Sequence, residues 1–357
     1  MTAVKPSLGG AARLPATLIE IRRLFDAFDW PALARQVQEE ALAHVAIVGP
    51  VNSGKSTLFN RLTGREGSPV AAIPGTTRQL LREQWGPFTL TDTPGFGEVA
   101  GIDRANIALE GVRTADMIVL VLDIVAGVRQ ADLALLQQLR ATGRPVVTVL
   151  NKIDLYEKGQ DAVIADARAK LGEPGLIPIS AKKGTNVARQ LLPRLIDASP
   201  ALAVAMGRAL PNYRRQAARR VIRGAAAFNA LSGAEPVPGL DIPLLLAMQA
   251  RMVLRIAAIY GEPMSAEHAK ELTATIMGGL TLRYLGQTAA KMLPVAGWAA
   301  SAAVASAGTW AMGQVAVQYF ENGRKLTSGQ MRALYRQRLR RRHRAELDLP
   351  APDEAAR

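Results

Sequence analysis

A short glycine-rich stretch at positions 49–56 has the residue types needed to hold phosphate groups. It reads GPVNSGKS and matches the pattern G-x-x-x-x-G-K-[ST]. Glycines let backbone N–H groups converge on phosphate oxygens, and a following helix adds the positive end of its dipole. We expect Lys55 to contact the β- and γ-phosphates and Ser56 to place its hydroxyl on Mg²⁺. The residues predicted to surround the phosphates are Gly49, Asn52, Ser53, Gly54, Lys55, Ser56 and Thr57.

A second group of residues, at 151–154, has the types needed to select a base. The sequence there is N-K-I-D, at the C-terminal end of a predicted strand. The Asp154 carboxylate can accept from both N1–H and the 2-amino group of guanine, whereas adenine lacks that pair of donors and would leave the carboxylate unpaired. The residues predicted to hold the base are Asn151, Lys152, Asp154, Ser180, Ala181 and Lys182.

Two further stretches between these groups have the residue types of a nucleotide-dependent switch. Asp92-Thr93-Pro94-Gly95 ends a predicted strand, and Pro74-Gly75-Thr76-Thr77-Arg78 lies in a loop. We expect Asp92 to hold Mg²⁺ through water, Gly95 to contact the γ-phosphate through its N–H, and Thr77 to close onto Mg²⁺ when the γ-phosphate is present. Lys55, Thr77 and Gly95 are the predicted catalytic residues.

Together the stretches GPVNSGKSTLFN, PGTTR, DTPGFG, NKID and SAK resemble translation-factor-type P-loop GTPases of the TrmE–Era–EngA group. The resemblance covers roughly 160 residues, in the order and spacing of that superfamily. It implies that the chain binds GTP and GDP with Mg²⁺ and hydrolyses GTP to GDP and phosphate as a molecular switch.

Two positions in these motifs bear on the rate of that hydrolysis. Phe96 follows D-T-P-G, where Ras-like enzymes place a water-orienting glutamine, so the resemblance implies slow hydrolysis or a nucleotide-binding scaffold with negligible turnover. In related proteins an asparagine at the position of Asn52 can ligand K⁺. A purely local hydrogen-bonding role for Asn52 is the alternative.

The elements that must position these residues follow an alternating strand–helix pattern between 41 and 200, where Pro200 closes the predicted domain. This pattern predicts an α/β fold, a mostly parallel six-stranded sheet with helices on both faces. The predicted strands are 44–48, 80–85, 88–92, 117–123, 146–151 and 177–179. The predicted helices begin at Lys55 and then cover 104–114, 130–141, 161–171 and 185–198.

The flanking segments predict helices instead. Residues 1–40 are predicted to form a loose leader and a helix interrupted near Trp30-Pro31. Residues 201–330 are predicted to form an Ala-rich all-α domain with helices from Pro211 to Gly233, over 240–260 and over 265–285, where Ser265 is the N-cap. Residues 331–357 form a basic and then acidic tail. The stretch KMLPVAGW, together with T-W-A-M-G-x-x-A-x-x-Y-F, also resembles an uncharacterised helical domain found fused to bacterial GTPases and often predicted to associate with membranes.

The C-terminal half also carries most of the positive charge. The chain has a formal charge of +14, and residues 201–357 contain 21 Lys plus Arg against 10 Asp plus Glu. Within that half, residues 292–320 contain no charged side chain. This segment is long enough to span a bilayer, and the alternative is a buried hairpin broken near Gly308. The arginines favour a phosphate-bearing partner, which lipid headgroups and RNA both satisfy.

Composition excludes some functions and leaves the partners open. The chain contains no cysteine, and its three histidines lie far apart, which excludes disulfides, thiolate metal sites and a histidine cluster. The N-terminus lacks the apolar core of a secretion signal, so we expect a cytoplasmic protein associated with the cytoplasmic membrane. Expected partners are guanine nucleotide, an anionic or inner-membrane surface and an unidentified effector. A ribosome- or RNA-associated assembly GTPase is the alternative, and a homodimer is left open.

Overall fold

The computed structural model describes residues 26–64, 82–91, 112–156, 158–232, 241–263 and 296–347, together with positions 23, 265, 267, 270 and 274. Its contacts divide the chain into two compact units. One runs from Glu40 to Ala209, and the other combines the chain before residue 40 with Leu210–Arg357. The first unit extends past Pro200, because Pro200 begins a further helix, Pro200–Ala209. Proline is well suited to that first helical position.

The described strands of the first unit form one six-stranded sheet in the order β2-β3-β1-β4-β5-β6. All neighbouring pairs are parallel except β2 with β3, which is antiparallel. The strands are β1 (Val45–Val48), β2 (Arg82–Trp85), β3 (Phe88–Thr91), β4 (Met117–Asp123), β5 (Val146–Asn151) and β6 (Ile177–Pro178). The predicted fold class is confirmed, and the predicted strand limits differ by at most two residues from those observed.

The central strands β1, β4 and β5 are buried along almost their whole length. Every residue of β1 and six of the seven residues of β4 are buried. A continuous apolar run of this kind is what a sheet covered on both faces requires. Because β1, β4 and β5 are parallel, their carboxyl ends lie at one edge of the sheet, where Gly49, Asp123 and Asn151 are found.

Helices connect these strands and cover the sheet. They are α2 (Lys55–Thr63), α3 (Gln130–Ala141), α4 (Gln160–Leu171), α5 (Leu192–Ala198) and α6 (Pro200–Ala209). Helix α1 (Trp30–Glu40) precedes them in the chain and belongs almost wholly to the other unit. The predicted single helix over 185–198 was wrong in detail. A π-helical turn, Val187–Leu191, precedes α5, and the carbonyl of Asn186 accepts from the N–H groups of both Gln190 and Leu191.

The predicted interruption at Trp30-Pro31 is the beginning of α1. The Asp29 carboxylate accepts from the N–H of Ala32 at 2.9 Å and caps the helix, and Pro31 lies in the first turn, where its missing N–H is not needed. The predicted helix over 104–114 lies almost wholly outside the described residues. Most of the predicted helix over 265–285 lies outside them as well.

The second unit is helical in its described part. It contains a 3₁₀ turn at Pro211–Tyr213 and then α7 (Arg214–Ser232), α8 (Asp241–Ile259), α9 (Ala296–Glu321) and α10 (Ser328–Leu347). The alternative of a hairpin broken near Gly308 was wrong, because α9 runs continuously through that position. Helix α9 contacts α7, α8 and α10, and buries Ala311, Val315 and Phe320 among them. Burial in a helical core accounts for the uncharged composition of 306–320.

A single glycine sets the distance between α9 and α7. A Cβ added at Gly313 would lie 2.4 Å from Cγ1 of Ile222, so the two helices approach too closely for any side chain there. Within the described part of the chain, none of the helices combines the length and the apolar character that crossing a bilayer requires.

Candidate functional site

The glycine-rich loop between β1 and α2 has a backbone that only glycine fits at two points. Gly49 has φ +150°, and a Cβ there would lie 2.2 Å from the carbonyl oxygen of Val121 on the neighbouring strand. Gly54 has φ +91°, and its Cβ would lie 2.2 Å from Nδ2 of Asn151. The loop is therefore pressed against β4 and β5, and the two glycines in the motif are required by close approach as well as by backbone conformation.

Lys55 and Ser53 are buried inside this loop. The Lys55 side chain is 6% exposed, and its Nζ donates to the carbonyl of Pro50 at 2.9 Å, so the ammonium group lies within the curve of the loop. The Ser53 hydroxyl is buried and has no hydrogen-bond partner among the described residues. A buried cation beside an unsatisfied hydroxyl is a chemically suitable environment for phosphate oxygens.

The other residues of the loop are more accessible. Ser56 is half-buried at the start of α2, and Thr57 is exposed on the next position. Asn52 is exposed with φ +63°, a left-handed conformation that asparagine tolerates better than most residues. Its backbone alone therefore gives a sufficient reason for asparagine at this position.

Asn151 connects the phosphate loop (49–56) to the base loop (180–182). Its Nδ2 donates to the carbonyl of Ser53 at 2.9 Å, and its Oδ1 accepts from the N–H of Ala181 at 2.9 Å. The side chain is buried, so both bonds are shielded from water. One amide at the end of β5 thus links three of the predicted site segments.

Asp154 stands beside Asn151 with its charged form favoured. Lys152 adopts a left-handed conformation (φ +69°), and a 3₁₀ turn, Ile153–Leu155, follows and carries Asp154. A hydrogen bond from the Ser180 side chain lowers the pKa of Asp154 from its usual value; burial opposes this, and the nearby Lys183 and Lys182 lower the pKa further. The carboxylate is therefore held ionised, as an acceptor for two donors must be.

Two residues that sequence reasoning missed support this arrangement. Arg61 on α2 donates from Nε to the carbonyl of Ala181 at 3.1 Å and from Nη2 to the carbonyl of Lys182. Asp123 at the end of β4 accepts from Lys152 Nζ at 2.7 Å. Arg61 lies in no motif and its partners are about 120 positions away. The position of Asp123 at the end of a predicted strand was the one available indication.

The switch residues of the prediction cannot be placed. Thr77, Asp92 and Gly95 lie outside the described residues, as does Phe96. Of the predicted Mg²⁺ ligands, the Ser56 hydroxyl is described. It offers the hard oxygen donor that Mg²⁺ prefers, so it fits a site in which nucleotide phosphates supply further oxygens. In the described ranges, no three His, Asp or Glu side chains converge as a protein-only metal site would require.

Comparison with known proteins agrees with this geometry. Residues 44–152 match the family model for a 50S ribosome-binding GTPase, and residues 199–344 match a domain of unknown function, DUF697. This chain carries a GTPase domain. Its GTPase domain resembles those of the TrmE–Era–EngA group, and an uncharacterised domain follows it.

Curated relatives share the GTPase part. GTPase Der of Desulforudis audaxviator is 38% identical over 208 residues, which cover 56% of this chain and 46% of the relative. GTPase Der of Mycolicibacterium vanbaalenii is 37% identical over 200 residues, covering 54% and 42% respectively. A crystal structure of a probable GTP-binding protein, engB, is 29% identical with a TM-score of 0.34, covering 42% of this chain and 95% of that one. The chain spans less than half the length of the curated relatives described here.

Proposed function

We propose that the protein binds GTP in the unit Glu40–Ala209 and hydrolyses it to GDP and phosphate as a slow molecular switch. The observation that supports the proposal is the presence of Asn151 and Asp154, with separate roles, at the same end of β5. Asn151 fixes the phosphate loop relative to the base loop. Beside it, a carboxylate kept ionised by Ser180 matches the two donors of guanine.

Each residue of the site then has a defined task. Lys55 neutralises charge on the β- and γ-phosphates, Asn151 keeps the two binding loops in register, and Asp154 selects guanine. Ser56, Thr77 and Asp92 are proposed to hold Mg²⁺, which supplies charge neutralisation at the phosphates when bound. Water attacks the γ-phosphorus, the bond from it to the β–γ bridging oxygen breaks, and GDP leaves with that oxygen. Gly95 donates its N–H to the γ-phosphate.

Potassium is proposed to bind the side-chain oxygen of Asn52, which is exposed in the loop. Hydrolysis would then be faster in KCl than in NaCl of equal concentration. Because Asn52→Ser removes the amide oxygen, it should abolish that difference. An equal rate in both salts would limit Asn52 to a local backbone role.

Affinity and single-turnover measurements test the main proposal. Titration with fluorescent GDP and ADP should show binding of the guanine nucleotide at least 100-fold tighter, since adenine would leave the Asp154 carboxylate unpaired. Lys55→Ala should weaken GTP binding strongly. Release of phosphate from GTP should be slow but measurable. Binding of GTP without any release of phosphate would show that the protein is a nucleotide-binding scaffold and not a hydrolase.

For the cellular role, we propose that the helical unit attaches this cytoplasmic GTPase to a larger partner. The description of the matched GTPase family favours ribosomal RNA or the ribosome. An anionic membrane surface is the second candidate, supported by the basic charge of 201–357. Because most of the α9 side chains described between 306 and 320 are buried in the helical unit, we propose that attachment to a membrane would be electrostatic. Cosedimentation with ribosomes and flotation with anionic vesicles, each with a high-salt wash, separate the two.

A homodimer is also proposed, through the nucleotide-binding edge of the sheet. Three large apolar side chains are exposed in loops there: Val51 at 63%, Val125 at 55% and Leu155 at 61%. They lie in the phosphate loop, after Asp123 and directly after Asp154. Sedimentation velocity with GTP and with GDP should reveal a nucleotide-dependent dimer, and a monomer in both states would contradict it.

A further inference from the structure

Helix α10 (Ser328–Leu347) has two faces of different character. On one face Met331 and Tyr335 are buried, and Arg338 donates to the side-chain oxygen of Gln318 on α9 at 3.3 Å. On the other face Arg332, Arg336, Arg340 and Arg341 are exposed. One face of the helix therefore packs against α9, and this packing fixes the backbone from which the arginines of the other face extend.

The exposed arginines form a concave surface. Arg336, Arg340 and Arg341, with Ala333 and Gln337, line a cavity of about 420 Å³. Ala333 is the one short side chain among these five, and the others are long polar side chains. Three cations around one concavity repel one another, and a bound anion would relieve that repulsion.

Acidic side chains neutralise other arginines of this unit. Arg215 pairs with Glu321 at 2.7 Å, and Arg324 pairs with Glu262 at 3.0 Å. For Arg336, Arg340 and Arg341, no acidic partner lies within the described part of the chain. Helix α10 contains seven arginines and no lysine. Guanidinium is the group that binds phosphate oxygens in a bidentate manner, while lysine acts as a point charge.

The spacing along the helix fits a repeating anion. Arg332, Arg336 and Arg340 follow one another at four-residue intervals, about 6 Å along the axis for each step. Of the large apolar side chains described on α10, Met331 and Tyr335 are buried, and Leu334 and Leu339 are half-buried. The described part of this helix therefore lacks the broad exposed apolar face with which interfacial helices enter a bilayer. These features favour a polynucleotide backbone over a membrane surface.

We propose that the surface formed by Arg332, Arg336, Arg340 and Arg341 binds the phosphodiester backbone of RNA, with one phosphate in the cavity. The choice of RNA rests on the ribosome association proposed above. The contacts are to backbone phosphates and carry no sequence preference. Nucleotide binding in the other unit does not depend on this surface.

The test uses the full-length protein and a fluorescein-labelled 20-nucleotide single-stranded RNA, with affinity measured by anisotropy over a range of KCl concentrations. The variant R336Q/R340Q/R341Q removes three charges from the cavity. The control R144Q/R189Q/R194Q removes three exposed arginines from the other unit. Fluorescent GDP binding and thermal unfolding are measured for all proteins.

The cavity variant should bind RNA at least tenfold more weakly than the control. The slope of log K against log salt should fall by about 2 because three phosphate contacts to a single strand are lost. Replacing the same arginines by lysine should give an intermediate affinity with a preserved slope. GDP binding should be unchanged in every variant, which separates failure here from failure of the GTPase proposal.

Two results would overturn the inference. One is equal RNA affinity for the cavity variant and the control. The other is unchanged RNA affinity with loss of binding to vesicles of phosphatidylglycerol and phosphatidylethanolamine, which would assign the surface to lipid headgroups. If the glutamine variant melts earlier than wild type, the RNA affinity of the lysine variant is compared with that of wild type instead, because lysine keeps the charge and the helix. A lower affinity of the lysine variant then supports the inference, and an equal affinity contradicts it.

Discussion

At the scale of single residues, the phosphate and base loops depend on a few side chains that could be recognised from sequence. Lys55, Asn151 and Asp154 each follow a strand in a recognisable motif. Arg61 could not be recognised, because an arginine on an amphipathic helix has many ordinary roles. Its role in the site depends on hydrogen bonds to carbonyl groups that are about 120 residues away in the chain.

Asp154→Asn should change the base preference. The asparagine amide keeps one acceptor but adds a donor, which repels the 2-amino group of guanine and suits the 2-oxo group of xanthine. We expect GDP affinity to fall by about 100-fold, equivalent to about 2.7 kcal/mol, and xanthosine diphosphate to bind better than to wild type. Competition titrations measure both, and Asp161→Asn on the exposed side of α4 is the matched control. Retained GDP preference would remove Asp154 from the base site.

The lowered pKa of Asp154 predicts resistance to acid. A carboxyl with a depressed pKa in the folded state contributes stability above its ordinary pKa and loses that contribution as the pH falls through the folded value. The affinity for guanosine, which carries no titrating phosphate, should therefore stay level as the pH falls from about 6 to about 4, where an ordinary aspartate begins to titrate. Ser180→Ala removes the largest cause of the shift and should raise the pH at which affinity falls. Lys183→Gln should raise it less, and the reverse order would contradict this assignment.

At the scale of elements, the strands were predictable because short apolar runs between turns are characteristic of a buried parallel sheet. The π-helical turn before α5 was not predictable, since it depends on a single carbonyl shared by two N–H groups. Helix α9 was also ambiguous. An uncharged segment can be buried either by lipid or by neighbouring helices. The local sequence of α9 does not show that α7, α8 and α10 pack around it.

Helix α2 should transmit its position to the base loop through Arg61. Arg61→Met keeps much of the side-chain length and removes both donors to 181–182. We expect GDP to dissociate about tenfold faster, for a loss of about 1–2 kcal/mol, with little effect on association. Stopped-flow release of fluorescent GDP measures this, with Arg194→Met as control. An unchanged release rate would show that the base loop holds its conformation unaided.

The close approach of α9 to α7 predicts the sensitivity of the helical unit to one methyl group. Gly313→Ala should destabilise that unit by about 1–2 kcal/mol, because overpacking exceeds the gain in helix propensity. Gly329→Ala on α10 is the control, as a Cβ there meets no atom closer than 4.0 Å. Chemical denaturation measures both. Ile222→Ala should partly rescue Gly313→Ala, and simple additivity of the two changes would argue against a direct clash.

At the scale of the whole molecule, two units with separate cores should respond separately to ligand and mutation. GDP at 100 times its Kd should stabilise the unit Glu40–Ala209 by about 2.7 kcal/mol. Calorimetry of the full chain should show one transition raised by GDP, and a different transition lowered by Gly313→Ala. A single transition that moves with both changes would show that the units unfold cooperatively.

Asn151 has a further consequence for how ligands are discriminated. Its amide is hydrogen-bonded both to the carbonyl of Ser53 and to the N–H of Ala181. A change in the conformation of one loop is therefore coupled to the other loop. A molecule that contains both a guanine and a phosphate chain contacts both loops, whose relative position is already fixed. Guanosine contacts the base loop alone, and inorganic pyrophosphate contacts the phosphate loop alone. Their separate binding free energies should therefore sum to less than that of GDP, and the shortfall should shrink when Asn151 is replaced by alanine.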